Sequence, residues 1–178
     1  MAYFTGPNIV TDGLVFAYDA GSERCYPGSG TSATNITSQA IPGTLTNGVT
    51  FSTDNGGTWD FDGTDDHINI GNPTALQSLT TGTIEAVYYR DASTGTYQMI
   101  FSDGASALEV TYLGNTLQFY IGNSGISFAH AVTGEFFHVT GVWGSGYKKL
   151  YLNGSEVVSG TNTGTNTGST TRYIGRRS

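Results

Sequence analysis

From Gly82 onward the chain breaks into short stretches in which apolar and polar residues alternate, and glycine or asparagine stands between them. The stretches are "GTIEAVYYR" (82–90), "YQMIFS" (97–102), "LEVTYL" (108–113), "TLQFYIG" (116–122), "ISFAHAV" (126–132), "EFFHVTGVW" (135–143), "KKLYLN" (148–153), "SEVVSG" (155–160) and "RYIG" (172–175). A period of two over so few residues suits strands and cannot build an amphipathic helix. Asn153-Gly154, Gly114-Asn115 and "GNSG" at 122–125 supply backbones that tolerate positive φ, which tight hairpins need.

Upstream the same reasoning predicts a strand at "GLVFAYD" (13–19), a long loop over "AGSERCYPGSGTSATN", and a short strand at "GVTFS" (48–52) followed by the turn "TDNGG". "TWDF" and "HINI" flank "DGTDD" and read as a hairpin, and "NPTALQSL" (72–79) reads as a helix of two turns capped by Asn72 with Pro73 first inside. "GTNTGTNTGSTT" (160–171) has no apolar anchor and reads as a flexible loop or an exposed hairpin extension. Together these elements predict an all-β, antiparallel two-sheet β-sandwich over residues 13–178, after a leader at 1–12.

The 178 residues suffice for one core, and 26 glycines with 4 prolines fit a chain of turns. The net charge of −7 argues against a phosphate-contacting surface for nucleic acid. Charge is also uneven: residues 1–147 carry 2 basic against 13 acidic groups, residues 148–178 carry 5 basic against 1 acidic. The acidic body and basic end suit either a solvated tail or head-to-tail contact between copies, with Arg172, Arg176 and Arg177 as the candidate contact residues. Cys25 is the one cysteine, which excludes an internal disulfide. The start has no basic and apolar signal segment, and no stretch is apolar for long enough to cross a bilayer as a helix.

Asp62, Asp65 and Asp66 sit together in "DGTDD", where two readings stay open. Aspartate and glycine suit a tight turn, and clustered carboxylates supply the oxygens that calcium takes. Tyr26, Trp143 and Tyr147 adjoin glycine-rich loops and are candidate sugar-stacking aromatics, with Trp143 equally suited to closing the core. No glycine-flanked nucleophilic serine precedes a helix, and His67, His130 and His138 lack the spacing of zinc ligands. The glutamates stand alone on separate elements, and Glu85 reads as a structural carboxylate of a core strand. The sequence argues against an enzyme.

Several stretches resemble the laminin-G-like domains of the concanavalin A-like jelly-roll superfamily: "GLVFAYDAG", "FDGTDDHINIG", "TIEAVYYR", "FFHVTGVWGSGYKKLYLNGSEV" and "YIGRRS", in the family's order. The resemblance implies a jelly-roll sandwich, and a calcium ion in many members. The superfamily's glucanases carry a Glu-x-Asp-x-x-Glu type of strand, which this chain lacks. "GPNIVTDGLVFAYDAGSERCYPGSG" further resembles laminin-G-like virion proteins of tailed phages. That likeness implies a capsid decoration or accessory protein that contacts other virion proteins and copies of itself, made in the host cytoplasm. A tail-fibre adhesin for host glycans is the alternative. Relatives continue past "IG" into one more strand, so a partner sharing the last strand, or a shortened chain, is implied.

Overall fold

The computed structural model describes residues 11–104, 107–164, 166 and 170–176. Fourteen strands lie among them, and every pairing is antiparallel. The larger sheet runs in the spatial order β1 (Ser32–Thr34), β2 (Pro42–Thr46), β5 (His67–Gly71), β14 (Arg172–Ile174), β7 (Tyr97–Ser102), β8 (Leu108–Leu113), β9 (Thr116–Ile121), β10 (Ser124–Ala129). The smaller sheet runs β13 (Ser155–Gly160), β12 (Tyr147–Leu152), β11 (Glu135–Gly144), β6 (Gly82–Arg90). A separate ribbon joins β3 (Thr50–Ser52) to β4 (Thr58–Asp60). This is the two-sheet β-sandwich that the alternation predicts.

The hairpins close where the turn residues stand. Gly122 and Asn123 join β9 to β10, and Asn153 and Gly154 join β12 to β13, all four at positive φ. That pair of left-handed residues matches the strands' own twist.

Between the sheets, Leu108, Val110, Tyr112, Leu117, Phe119 and Ile121 meet Phe137, Val139, Leu150 and Leu152. Each such side chain contributes roughly 1.5–3 kcal/mol when fully buried. Gly141 of β11 faces this layer because a ring fills its place: a Cβ there would lie 2.7 Å from the Phe119 ring. Gly141→Ala is therefore expected to cost about 1–3 kcal/mol through overpacking, read as a lowered urea midpoint with an unchanged slope. A second cluster, Cys25, Tyr26, Ala33, Leu45 and Ile68, packs under Trp59 and Phe61.

Four expectations change. Residues 13–19 form no strand, because no strand among the described residues pairs with them. Instead the Ala17 amide donates to Asn35 Oδ1, and the Ile36 amide donates to the Ala17 carbonyl. The expected two-turn helix at 72–79 reduces to one 3₁₀ turn, Thr74–Leu76, since Gln77 is already extended. β4 and β5 do not pair: β4 joins β3, and β5 lies between β2 and β14. "DGTDD" is thus a crossing between two sheets and not a hairpin turn. The threonine-rich segment is not all exposed loop: Asn166 is buried, and its amide donates to the Leu76 carbonyl at 2.9 Å. Residues 165 and 167–169 of that segment lie outside the described residues, as do leader residues 1–10 and Arg177.

Candidate functional site

The crossing from β4 to β5 is held by its own side chains. Asp62 Oδ1 accepts the amides of Thr64 at 2.7 Å and Asp65 at 3.4 Å, and Gly63 takes φ +75°. The side-chain amide of Asn47 donates to the Asp65 carbonyl at 3.2 Å and carboxylate at 3.0 Å. Asp66 turns inward at 6% exposure, and its Oδ2 accepts the Asp62 amide at 3.1 Å. Its other oxygen, Oδ1, is buried and meets no hydrogen-bond donor among the described residues. The Thr64 amide, before all else, holds the Asp62 carboxyl below the usual carboxylate range.

One oxygen from each of Asp62, Asp65 and Asp66 falls within 4.8 Å of the others. Calcium bonds oxygen at about 2.3–2.6 Å, so two oxygens on one ion stand up to roughly 5 Å apart. The spacing, the all-oxygen donor set and the orphaned Asp66 Oδ1 fit that ion. A buried acceptor without a donor is costly, and a cation resolves it.

These aspartates line a cleft of about 2190 Å³ that opens between the sheets, together with Tyr18, Trp59 and Phe61. The Tyr18 hydroxyl donates to the Ile41 carbonyl at 3.0 Å, which fixes its ring edge-on to Trp59. The Trp59 indole N–H is buried and finds no acceptor among the described residues. The cleft thus holds an orphaned donor as well as an orphaned acceptor.

The expected aromatic residues are not brought together. Tyr26, at 4% exposure, donates its hydroxyl to the Gly30 carbonyl at 2.9 Å and packs on Phe51 and Trp59. Trp143, at 2%, packs by Phe119 and donates to the Leu79 carbonyl at 3.4 Å. Both are core residues, since their polar tips are satisfied inside, and neither offers a stacking face. Tyr147 is 46% exposed at the start of β12, on a different element from the cleft. Arg172 is wholly buried and donates to Asn72 Oδ1 at 2.9 Å and the Leu76 carbonyl at 2.7 Å, so it serves the fold and not a neighbour. Arg176 is exposed and lies over the Tyr173 ring at 5.8 Å. Glu85 is not a core carboxylate: it points outward from β6 and pairs with His138 at 3.4 Å.

A polar chain inside the sandwich was not legible from the sequence. Tyr88 and Tyr112 share a hydroxyl hydrogen bond of 2.7 Å, Tyr112 meets His130 Nδ1 at 2.7 Å, and the Arg90 guanidinium lies 4.0 Å over the Tyr112 ring. Burial first, and then the Arg90 charge, push the His130 pKa below its ordinary 6.5. A histidine whose folded pKa is depressed contributes stability at neutral pH that is lost as pH falls from about 6.5 toward the lower folded value. Urea midpoints at pH 7.5 and 5.5 are expected to differ less in His130→Gln than in the unaltered chain.

The two antiparallel sheets form a concanavalin A-like jelly roll. The chain belongs to the concanavalin A-like lectin/glucanases superfamily, whose laminin-G family model matches residues 62–178. No curated protein matches it. Among solved structures it is similar to domain 4 of AbnA, a GH43 extracellular arabinanase from Geobacillus stearothermophilus, in complex with arabinotriose. The TM-score is 0.63 at 19% identity, over 80% of this chain and 77% of that one. The binding domain of botulinum neurotoxin DC, in complex with SialylT, aligns at TM-score 0.62 and 12% identity, over 83% of this chain and 43% of that one. A botulinum neurotoxin type C structure, whose cell entry depends on two ganglioside molecules, aligns at TM-score 0.56 and 16% identity, over 83% and 42%. This chain spans less than half of the neurotoxin chains. At these identities the likeness establishes the fold alone.

Proposed function

We propose that this domain binds carbohydrate without catalysis, through a calcium ion held by Asp62, Asp65 and Asp66. The observation that carries the reading is the buried Asp66 Oδ1, without a donor among the described residues, on a residue whose carboxylate comes within 4.8 Å of those of Asp62 and Asp65. When bound, calcium offers open coordination positions that neighbouring sugar hydroxyls fill as oxygen ligands. The chain's own part is to hold the three carboxylates close, with Asn47 and the Thr64 amide fixing the directions of Asp65 and Asp62. Trp59 and Tyr18 wall the same cleft and give a sugar ring an apolar face. The arabinotriose-bound and ganglioside-dependent relatives of this fold support the same ligand class. A glycan array read with and without chelator tests it: signals that vanish with chelator are expected, and chelator-independent signals or none contradict it.

We also assign the domain to a virion surface, on the resemblance of residues 6–30 to tailed-phage proteins. Protein contact as a structural part of the particle is the second reading, favoured by one observation. Val87, Tyr89 and Phe136 form an exposed apolar group, with Val87 70% exposed. Hundreds of copies per particle would support decoration of a capsid, and a few dozen a tail position.

A further inference from the structure

The connection from β10 to β11 carries the chain from the larger sheet to the smaller one, and hydrogen bonds hold it at both ends. At its start the His130 amide donates to the Asn115 carbonyl at 2.8 Å, and at its end the Gly134 amide donates to the Arg90 carbonyl at 2.7 Å. Between them the Arg90 guanidinium donates to the carbonyls of His130 at 3.2 Å and Val132 at 3.4 Å. Arg90 is itself buried, and it also donates to Gln98 Oε1 and the Gly114 carbonyl. Residues 130–134 thus form a strap tied to β6 by a buried cation.

The His130 side chain is a further fastening. Its ring stands edge-on to Phe137 at 4.7 Å between centroids and lies parallel to Phe128 at 6.4 Å. Burial first of all lifts the phenol pKa of Tyr88 and of Tyr112, so both hydroxyls keep their protons. With Nδ1 of His130 as the acceptor, Tyr112 donates to it at 2.7 Å and Tyr88 donates to Tyr112 at 2.7 Å. A proton on Nδ1 removes that acceptor, and both hydroxyls must then turn round. It also sets a second cation beside Arg90 of β6, whose guanidinium already bonds the His130 carbonyl; Glu135 of β11 favours the proton.

We propose that His130 is an acid-sensitive latch: on taking up a proton it lets go of Tyr112 and frees the 130–134 strap from β6 and β8. The direction follows from linkage. A proton binds more tightly to a hydrated imidazole away from Arg90 than to one packed between aromatic rings, so acid favours the released form. Each pKa unit between the two forms multiplies the opening constant by at most about ten. The opening is local: it detaches a connection between the sheets while the strand ladders stay paired.

Amide exchange followed by NMR at pH 7.5 and 5.5, corrected for the intrinsic rate, tests this. The His130 and Gly134 amides are expected to lose protection by about threefold or more at the lower pH, and the amides of β9 by less. His130→Gln keeps a polar side chain that takes up no proton, and the difference is expected to vanish in it. The His130 ring's own titration, read in the unaltered chain, is expected to have its midpoint below 6.5. Equal protection at both pH values, a loss that persists in His130→Gln, a loss shared equally by β9, or a ring midpoint at or above 6.5 overturns the proposal.

Discussion

Arg172→Met is expected to destabilise the domain by about 3–5 kcal/mol, the usual cost of removing one member of a buried charged set. Arg172 is wholly buried and ties three parts of the chain together: Asn72, the Leu76 carbonyl and the Thr170 carbonyl. Burial pushes its pKa below the usual arginine range, and the nearby carboxylate of Asp103, itself wholly buried, works against that. Methionine fills similar space but leaves these oxygens and that carboxylate without their cation. For a domain of this size, such a loss lowers the melting temperature by roughly 6–20 °C. Arg172→Lys is expected to recover only part of it, because a single ammonium cannot fork between Asn72 and Leu76 as a guanidinium does. Thermal melts of the three proteins side by side give the comparison.

Phe119→Ala is expected to cost about 3–5 kcal/mol as well, by a different mechanism. The ring is wholly buried on β9, near Trp143 at a centroid distance of 6.1 Å, and it fills the space above Gly141. Removing it leaves a cavity that the surrounding strands close only in part. Urea unfolding is expected to show a lower midpoint, and adding Gly141→Ala to Phe119→Ala to cost less than the two separate losses combined, because the new methyl enters the vacated space.

The strands from Gly82 onward were legible because each carries its own alternation and its own turn residues. What was not legible depended on distant partners. "GLVFAYD" has strand-forming residues, yet a strand exists only beside another, and the Asn35 side chain takes its place as bonding partner. β1 and β2 went unread because they are short, and Pro42 and Gly43 at the start of β2 look like a loop. β4 and β5 are close in sequence, but which sheet each joins is decided by β3, β2 and β14.

The candidate site shows the same division. Three carboxylates in five residues were visible, since a loop keeps near neighbours near. The inward turn of Asp66 was not, because it depends on where Gly48 and the Asp62 amide come to lie. Tyr26 and Trp143 misled for a related reason: a glycine beside an aromatic residue does not say which way the ring points. Arg172 sat in a basic tail by sequence, and only the fold shows it enclosed by residues some 70 to 100 positions earlier.

A calcium titration by calorimetry, on protein first stripped with chelator, tests the central claim most directly. One ion per chain is expected, and none in Asp66→Asn, which keeps the size of the side chain and removes its charge. Free calcium at a hundred times its Kd stabilises the fold by about 2.7 kcal/mol, so melting should rise by roughly 5–10 °C in the unaltered chain alone. No binding heat and an unmoved melting temperature, or the same response in Asp66→Asn, would contradict a calcium site at Asp62, Asp65 and Asp66.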